Sequence, residues 1–224
     1  MTRLEADHVD VTSEFKGEQL LLFGALSRGG DVVIKVVSPG QEVALSRKEK
    51  LGPIWLDGGR VKVAGAPGLF YLLSTRPIGV LLGPAEQERY GLRVEVALAN
   101  ARLSGDATGM SDWRVAFLRL KGRKGYYLSD GQGVTVKEGH LFYASVRLPA
   151  KSPLGRYELS IYLVRDGVVV ASQKEALEVR KVSLQRWVDR VAHEHGWLFG
   201  GGFTLGAMTI GLALGIILRQ KREV

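Results

Sequence analysis

The chain has 224 residues, a net charge of +8 at neutral pH and no cysteine. That length can bury one substantial core or two small ones, and the absent thiols exclude disulfides, cysteine nucleophiles and thiolate-ligated zinc or iron–sulfur centres. The basic surplus fits a protein living beside anionic lipid headgroups; nucleic acid is not an expected partner, because no basic helix or basic–aromatic interleaving of the kind that reads bases occurs.

The first third of the chain alternates strand texture with turn signals. Val9 and Val11 alternate, Gln19 to Ala25 is an apolar run, and Asp31 to Val37 is rich in β-branched residues. The paired glycines of "SRGGD" between the latter two suit a hairpin turn. "SPG" at 38–40 breaks the chain, Glu42 to Ser46 alternates, "DGG" at 57–59 is read as a turn, and Arg60 to Val63 alternates again. "APG" at 66–68 precedes the apolar stretch Leu69 to Ser74, and so many short strands at this spacing predict a β-sandwich.

From Pro77 to about residue 125 the texture becomes helical and irregular. Pro84 suits a first helical turn, Glu86 and Glu88 complement a helix N-terminus, and Gly91 stops the piece. "LSGDATGMS" at 103–111 reads as loop, with Ser111 capping a helix over 112–121. Trp113, Ala116, Phe117 and Leu120 form its apolar stripe, with Arg114, Arg119 and Lys121 on the other side. Strand texture returns over 126–137 with a turn at 130–133, then over 141–148 and 157–164, where "RDG" at 165–167 predicts a tight hairpin into 168–179. Tyr157, after the Pro and Gly of "SPLGRY", resembles the tyrosine corner of immunoglobulin-like sandwiches.

Ser183 can cap an amphipathic helix over 183–195, with Leu184, Trp187, Val188 and Val191 on one side and Arg186 and Arg190 on the other. Then come 22 uncharged residues from Trp197 to Leu218. As a helix they would reach about 33 Å, enough to cross a hydrocarbon core of about 30 Å. Trp187 and Trp197 are the expected interfacial rings, and Arg219, Lys221 and Arg222 form a basic tail. Six glycines in this span would weaken a helix in water but permit close approach of a neighbouring helix in lipid. Gly202, Gly206 and Ala213 lie near one face, and Ala207, Gly211 and Gly215 form an i, i+4, i+8 track on another. Either row can seat a partner helix or a second copy; the plainer alternative is a lone anchor rich in glycine.

The reading is therefore a mainly β protein: an immunoglobulin-like β-sandwich over 1–180 with a helical insertion at about 80–125, a juxtamembrane helix at 183–195, one transmembrane helix at 197–218 and a basic tail at 219–224. Chemistry is sparse. His193 and His195 would project about 200° apart on a helix and could share a metal only in an extended segment, so no metal or other cofactor is expected. Ser152, His140 and Asp166 supply the residue types of an acyl-transfer triad, but no nucleophile-elbow glycine pattern surrounds any serine. Arg47, Lys48 and Lys50, and again Lys121, Arg123 and Lys124, form basic clusters that read as solvated faces or as contacts to phosphate headgroups or an acidic partner, while Trp55 reads as core.

The stretches "GEQLLLFGAL", "RKEKLGPIW", "APGLFYLLSTRP", "WRVAFLRLKGRKGYY" and "LPAKSPLGRYELSIYLVRDGVVV", followed by the single C-terminal anchor, resemble the uncharacterised transmembrane proteins of alphaproteobacteria. The resemblance runs from about Leu4 to the basic tail and implies no reaction. It implies a secretory signal and hence a periplasmic domain on the bacterial inner membrane, with a cytoplasmic tail, and an association with sulfite-exporter-like permeases. "MTRLEADHVDV" lacks the apolar core of such a signal, so a longer precursor is the favoured expectation and tail insertion with a cytoplasmic domain the alternative. The function expected is that of a non-enzymatic accessory protein binding a membrane-protein partner; the alternative is an anchored receptor or enzyme that holds a small oxyanion or a metal in the sandwich.

Overall fold

The computed structural model describes residues 2–4, 8–11, 17–26, 28–51, 53–105, 110–181, 201, 204–205 and 207–212. The chain divides into two compact units, Met1–Arg180 and Lys181–Val224.

The first unit is mainly β. Its strands are β1 (Thr2–Leu4), β2 (His8–Val11), β3 (Gly17–Ala25), β4 (Asp31–Val37), β5 (Gly40–Leu51), β6 (Ile54–Pro67), β7 (Phe70–Ser74), β8 (Arg102–Gly105), β9 (Tyr127–Asp130), β10 (Val134–Lys137), β11 (Leu141–Pro149), β12 (Gly155–Arg165) and β13 (Val168–Lys181). Between β7 and β8 lie α1 (Ile78–Leu81), α2 (Pro84–Arg89) and a 3-10 turn at Val94–Leu98; α3 (Met110–Arg123) follows β8. The strands form a four-stranded sheet in the order β1-β3-β11-β10, a six-stranded sheet β2-β13-β12-β4-β7-β9, and a three-stranded sheet β5-β6-β8.

The four- and six-stranded sheets pack face to face as a sandwich. Leu20 and Leu22 of β3 and Phe142, Val146 and Leu148 of β11 meet Ile34, Tyr71, Tyr157, Leu159 and Leu177 of the opposing sheet. The strict alternation of β11, with every second residue buried, is what one covered face and one open face require. β4 and β7 read instead as continuous apolar runs because the six-stranded sheet is covered on both faces. Val33, Phe70, Leu72, Tyr162 and Val164 point away from the sandwich interior into a second core with Val61, Val63, Leu81, Leu92, Trp113 and Phe117. That second core joins the three-stranded sheet and the helices to the back of the sandwich.

Several turn signals resolve differently from the sequence reading. "DGG" at 57–59 does not turn the chain; it lies inside β6 opposite an irregularity in the β5–β6 pairing, and the reversal comes at Pro53. "SRGGD" joins strands of different sheets, as does the turn at 130–133, so neither closes a hairpin. Gly30 suits its place because a Cβ there would meet Leu163 Cδ1 at 2.8 Å and the Val164 carbonyl at 2.9 Å. β8, which overlaps the start of the stretch read as loop, is held by backbone pairing to β6. "RDG" does form the tight hairpin: Asp166 and Gly167 have φ of 50° and 80°, the left-handed pair of a two-residue turn that matches strand twist.

In the second unit residues 201, 204–205 and 207–212 are helical and exposed. Among the described residues no helix is long and apolar enough to cross a membrane; most of the predicted span and all of the predicted juxtamembrane helix lie outside them.

Candidate interaction surfaces

The sandwich has two unlike ends, defined by register. β13 pairs with β12 so that Val179 faces Gly155, and Val168 faces Arg165. The chain thus leaves the sandwich at the end where β12 begins, β11 ends at Pro149, β4 ends at Val37 and β7 starts at Phe70. The turn into β9 arrives there too, because β9 runs parallel to β7 with Tyr127 beside Phe70.

The loops of this exit end are pinned by buried side chains that donate to their carbonyls. The Tyr157 hydroxyl donates to Pro153 O at 2.8 Å, Tyr127 to Pro67 O at 2.8 Å, and Tyr71 to Gly125 O at 2.6 Å. Burial pushes the Tyr71 hydroxyl up to about 12 and raises those of Tyr127 and Tyr157 as well, so all three remain donors at neutral pH. Gly68 fits only as glycine, since a Cβ would come within 2.2 Å of the Pro153 ring.

Lys121 completes this clamp, and its place corrects the sequence reading, which put it on the solvent side of α3. It is only 6% exposed. Its ammonium donates to Gly68 O at 2.9 Å and lies between 5.1 and 5.9 Å from the ring centres of Tyr126, Phe117 and Tyr127. Burial lowers its pKa from the usual lysine value, and the charge of Lys124 acts the same way. Positions 113, 117 and 121 step by four and share one helix face, so the burial was derivable from spacing alone. Ala116, placed on the apolar stripe by the sequence reading, is exposed.

Around this clamp the exit end is basic. Arg123 ends α3 and Lys124 follows it, Arg147 ends β11's open face, Lys151 lies on the β11–β12 corner, and Arg156 and Arg180 stand near the strand ends; all six are exposed. Among the described residues Glu18, Glu158 and Glu178 are the acids there; Glu178 pairs with Arg180 at 2.5 Å and Glu158 with Lys174 at 3.1 Å. Among the described residues no carboxylate pairs with Arg123, Lys124, Arg147, Lys151 or Arg156. Leu154, on the same corner, is 48% exposed.

The opposite end is balanced. Arg28, Arg76, Lys137 and Arg165 face Asp31, Asp130, Glu138 and Asp166. Asp31 is bound by Arg76 and accepts from Thr75 at 2.8 Å; the Arg76 hydrogen bond holds its carboxyl below the ordinary aspartate value against the opposing effect of burial.

A third surface is the open face of the four-stranded sheet. Leu21, Phe23, Leu141 and Tyr143 are between 39 and 53% exposed there, with Phe23 directly opposite Tyr143 and the Lys137 ammonium 5.7 Å from the Tyr143 ring. This stripe occupies the half of the sheet away from the exit: Phe23 is six residues along β3 from Gly17, about 20 Å. It was read in the sequence only as a strand, because which face of a strand is covered is not a property of that strand.

Of the residues singled out for helix contact, Ala207 and Gly211 are helical and exposed, one turn apart, and a Cβ at Gly211 would meet nothing within 4 Å. Gly202, Gly206, Gly215 and the interfacial set Arg186, Trp187, Arg190, Trp197, Arg219, Lys221 and Arg222 lie outside the described residues, as do His193, His195 and the side chains of Arg47, Lys48, Lys50 and Trp55. The structure does not bring the three acyl-transfer candidates together: Ser152 donates to Pro149 O at the exit end, while His140 and Asp166 lie at the other, about 30 Å along β11. Among the described residues no group of His, Asp or Glu could hold a metal ion.

No curated protein and no solved structure matches the chain. A family model does, over residues 1–220. The chain belongs to the family described as Putative transmembrane protein (Alph_Pro_TM).

Proposed function

We propose that this is a membrane-anchored, non-enzymatic accessory protein whose sandwich binds the extramembrane part of an integral membrane protein. The observation that carries the reading is the apolar stripe of Leu21, Phe23, Leu141 and Tyr143 on an otherwise polar sheet face. A protein partner in the same membrane suits it, with the glycine track through Ala207 and Gly211 as a second contact. The partner class that family resemblance favours is a sulfite-exporter-like permease, and a second copy through the anchor is the other candidate.

The anchor is a single C-terminal span at 197–218 in the bacterial inner membrane, with the sandwich in the periplasm and the tail in the cytoplasm. Family membership and the uncharged run of 22 residues support it. We also read the sandwich as immunoglobulin-like. Its four-stranded sheet has the order expected for strands A, B, E and D, β4, β12 and β13 stand in the order C, F and G, and Tyr157 reaches back to Pro153 at the position of a tyrosine corner.

Purification of the full chain in mild detergent tests the function. A stoichiometric integral membrane protein should accompany the wild type and be lost from Phe23→Glu and Tyr143→Glu, which leave the buried face of β3 and β11 unchanged. Retention of the partner by both variants, or no partner at all, refutes the reading.

A further inference from the structure

We propose that the exit end of the sandwich docks on an anionic phospholipid headgroup surface, through Arg123, Lys124, Lys151 and Arg156, with Leu154 entering the headgroup layer. The proposal rests on the anchoring just described and adds an orientation and a ligand.

Connectivity supplies the first argument. β13 carries the chain to this end at Lys181, and the uncharged run begins sixteen residues later at Trp197. A lipid surface is therefore within reach of this end. Charge supplies the second. Two pieces of chain, the end of α3 and the continuous corner from the end of β11 to the start of β12, bring exposed cations together here, while the far end is balanced. A surplus gathered from two segments of chain, 123–124 and 147–156, and paired with no carboxylate among the described residues, fits an anionic counter-surface. Each basic side chain close to an anionic leaflet shifts the balance by about fivefold, so three give about a hundredfold in the ratio of docked to undocked domain.

Rigidity is the third. The loops bearing these cations are fastened from beneath by Tyr71 and Tyr157, so the backbone that carries the charges needs little ordering on contact. Leu154 is the kind of residue that partitions into an interface, and it is exposed on the same corner as Lys151.

The absence of cysteine makes the test direct, because a single fluorophore can be placed anywhere on the full chain. Ala150→Cys labels the exit end and Val168→Cys the far end, about 33 Å away along β12. Each labelled chain is reconstituted in vesicles of phosphatidylcholine, with or without phosphatidylglycerol, containing a headgroup nitroxide quencher. The label at 150 should be quenched severalfold more than that at 168, and only with the anionic lipid present. The difference should collapse in the triple variant Arg123→Gln, Lys124→Gln, Lys151→Gln. It should collapse in the wild-type background when salt rises from about 0.1 to about 1 M, shortening the screening length from about 10 to about 3 Å; this arm needs no charge substitution. Equal quenching at both positions, or quenching at 150 indifferent to anionic lipid and salt, overturns the docking. A carbonate wash of neutral vesicles reads the anchor separately: release of the chain overturns the anchoring and the docking that rests on it, whereas retention without position-dependent quenching overturns the docking alone.

Discussion

At the exit end of the sandwich, buried tyrosines and a buried lysine hold loop carbonyls from below, glycine is demanded by close approach, and the outer shell is basic. The far end is tied by side chains at its surface: Asp31 to Arg76 and Thr75, and Arg165 to the Gly29 carbonyl at 2.6 Å. Charges there cancel locally. The same fold thus closes its two ends by different physics, one through desolvated hydrogen bonds that exclude water and one through exposed ion pairs that salt can screen. An end that keeps its fastenings inside leaves its surface charges available for a partner, whereas an end that spends its charges on itself does not.

That contrast can be broken most sharply with one substitution made at each end. Gly68→Ala at the exit end must displace the Pro153 ring or Gln41 and should cost about 3 kcal/mol. Gly167→Ala at the far end meets nothing within 4 Å and has only its left-handed φ of 80° to accommodate, so about 1 kcal/mol is expected. Urea unfolding of the full chain in detergent, followed by tryptophan fluorescence, gives both; equal losses would show that the ends do not differ in packing.

The next effect separates the charge of Lys121 from its bulk. Lys121→Ala should lose about 2 kcal/mol, because it opens a void among three rings and strands the Gly68 carbonyl. Lys121→Met fills the void and relieves the buried charge, so it should lie within about 1 kcal/mol of wild type. If both variants fall alike, the ammonium and not the packing holds the clamp.

The smallest effect belongs to the far end and depends on pH. Asp31→Asn should cost about 0.5–1 kcal/mol at neutral pH. Because the folded-state value of Asp31 is depressed, the carboxylate's contribution is present above the unfolded value near 3.9 and is lost as pH falls through the lower folded value. Wild type and variant should therefore converge in acid. About 1 M salt should shrink the gap at neutral pH, whereas the Gly68→Ala loss should not respond to salt.

Much of the strand pattern was legible in the chain. β3, β4, β7, β11, β12 and β13 all fall on runs recognised by alternation or β-branching, and α3 falls on its predicted helix with two added residues at each end. What failed were turns. The glycines of "DGG" and "SRGGD" carry the conformational freedom of a reversal, but the chain spends it on an irregular pairing and on a crossing between sheets. β8 escaped notice because its pairing is made by backbone groups, which leave little mark on side-chain composition.

The candidate surfaces were less legible than the strands. Lys121, Arg123 and Lys124 were seen as one basic cluster, yet Lys121 belongs to the interior and the other two to the surface. The cations that join them, Arg147, Lys151 and Arg156, lie more than twenty residues further on and meet them through pairing across two sheets.

The amino-acid order by itself determined where most of the strands and the long helix form, where the uncharged run lies and which chemistries have no residues to perform them, because periodicity, β-branching and composition act over a few neighbouring residues. Only the tertiary structure decided that one sheet is covered on both faces, that the open face of the other bears an apolar stripe, and that distant cations converge on the end where the chain departs. Those outcomes depend on which strands pair and in what register, and a pairing energy is shared between segments that neither segment encodes alone.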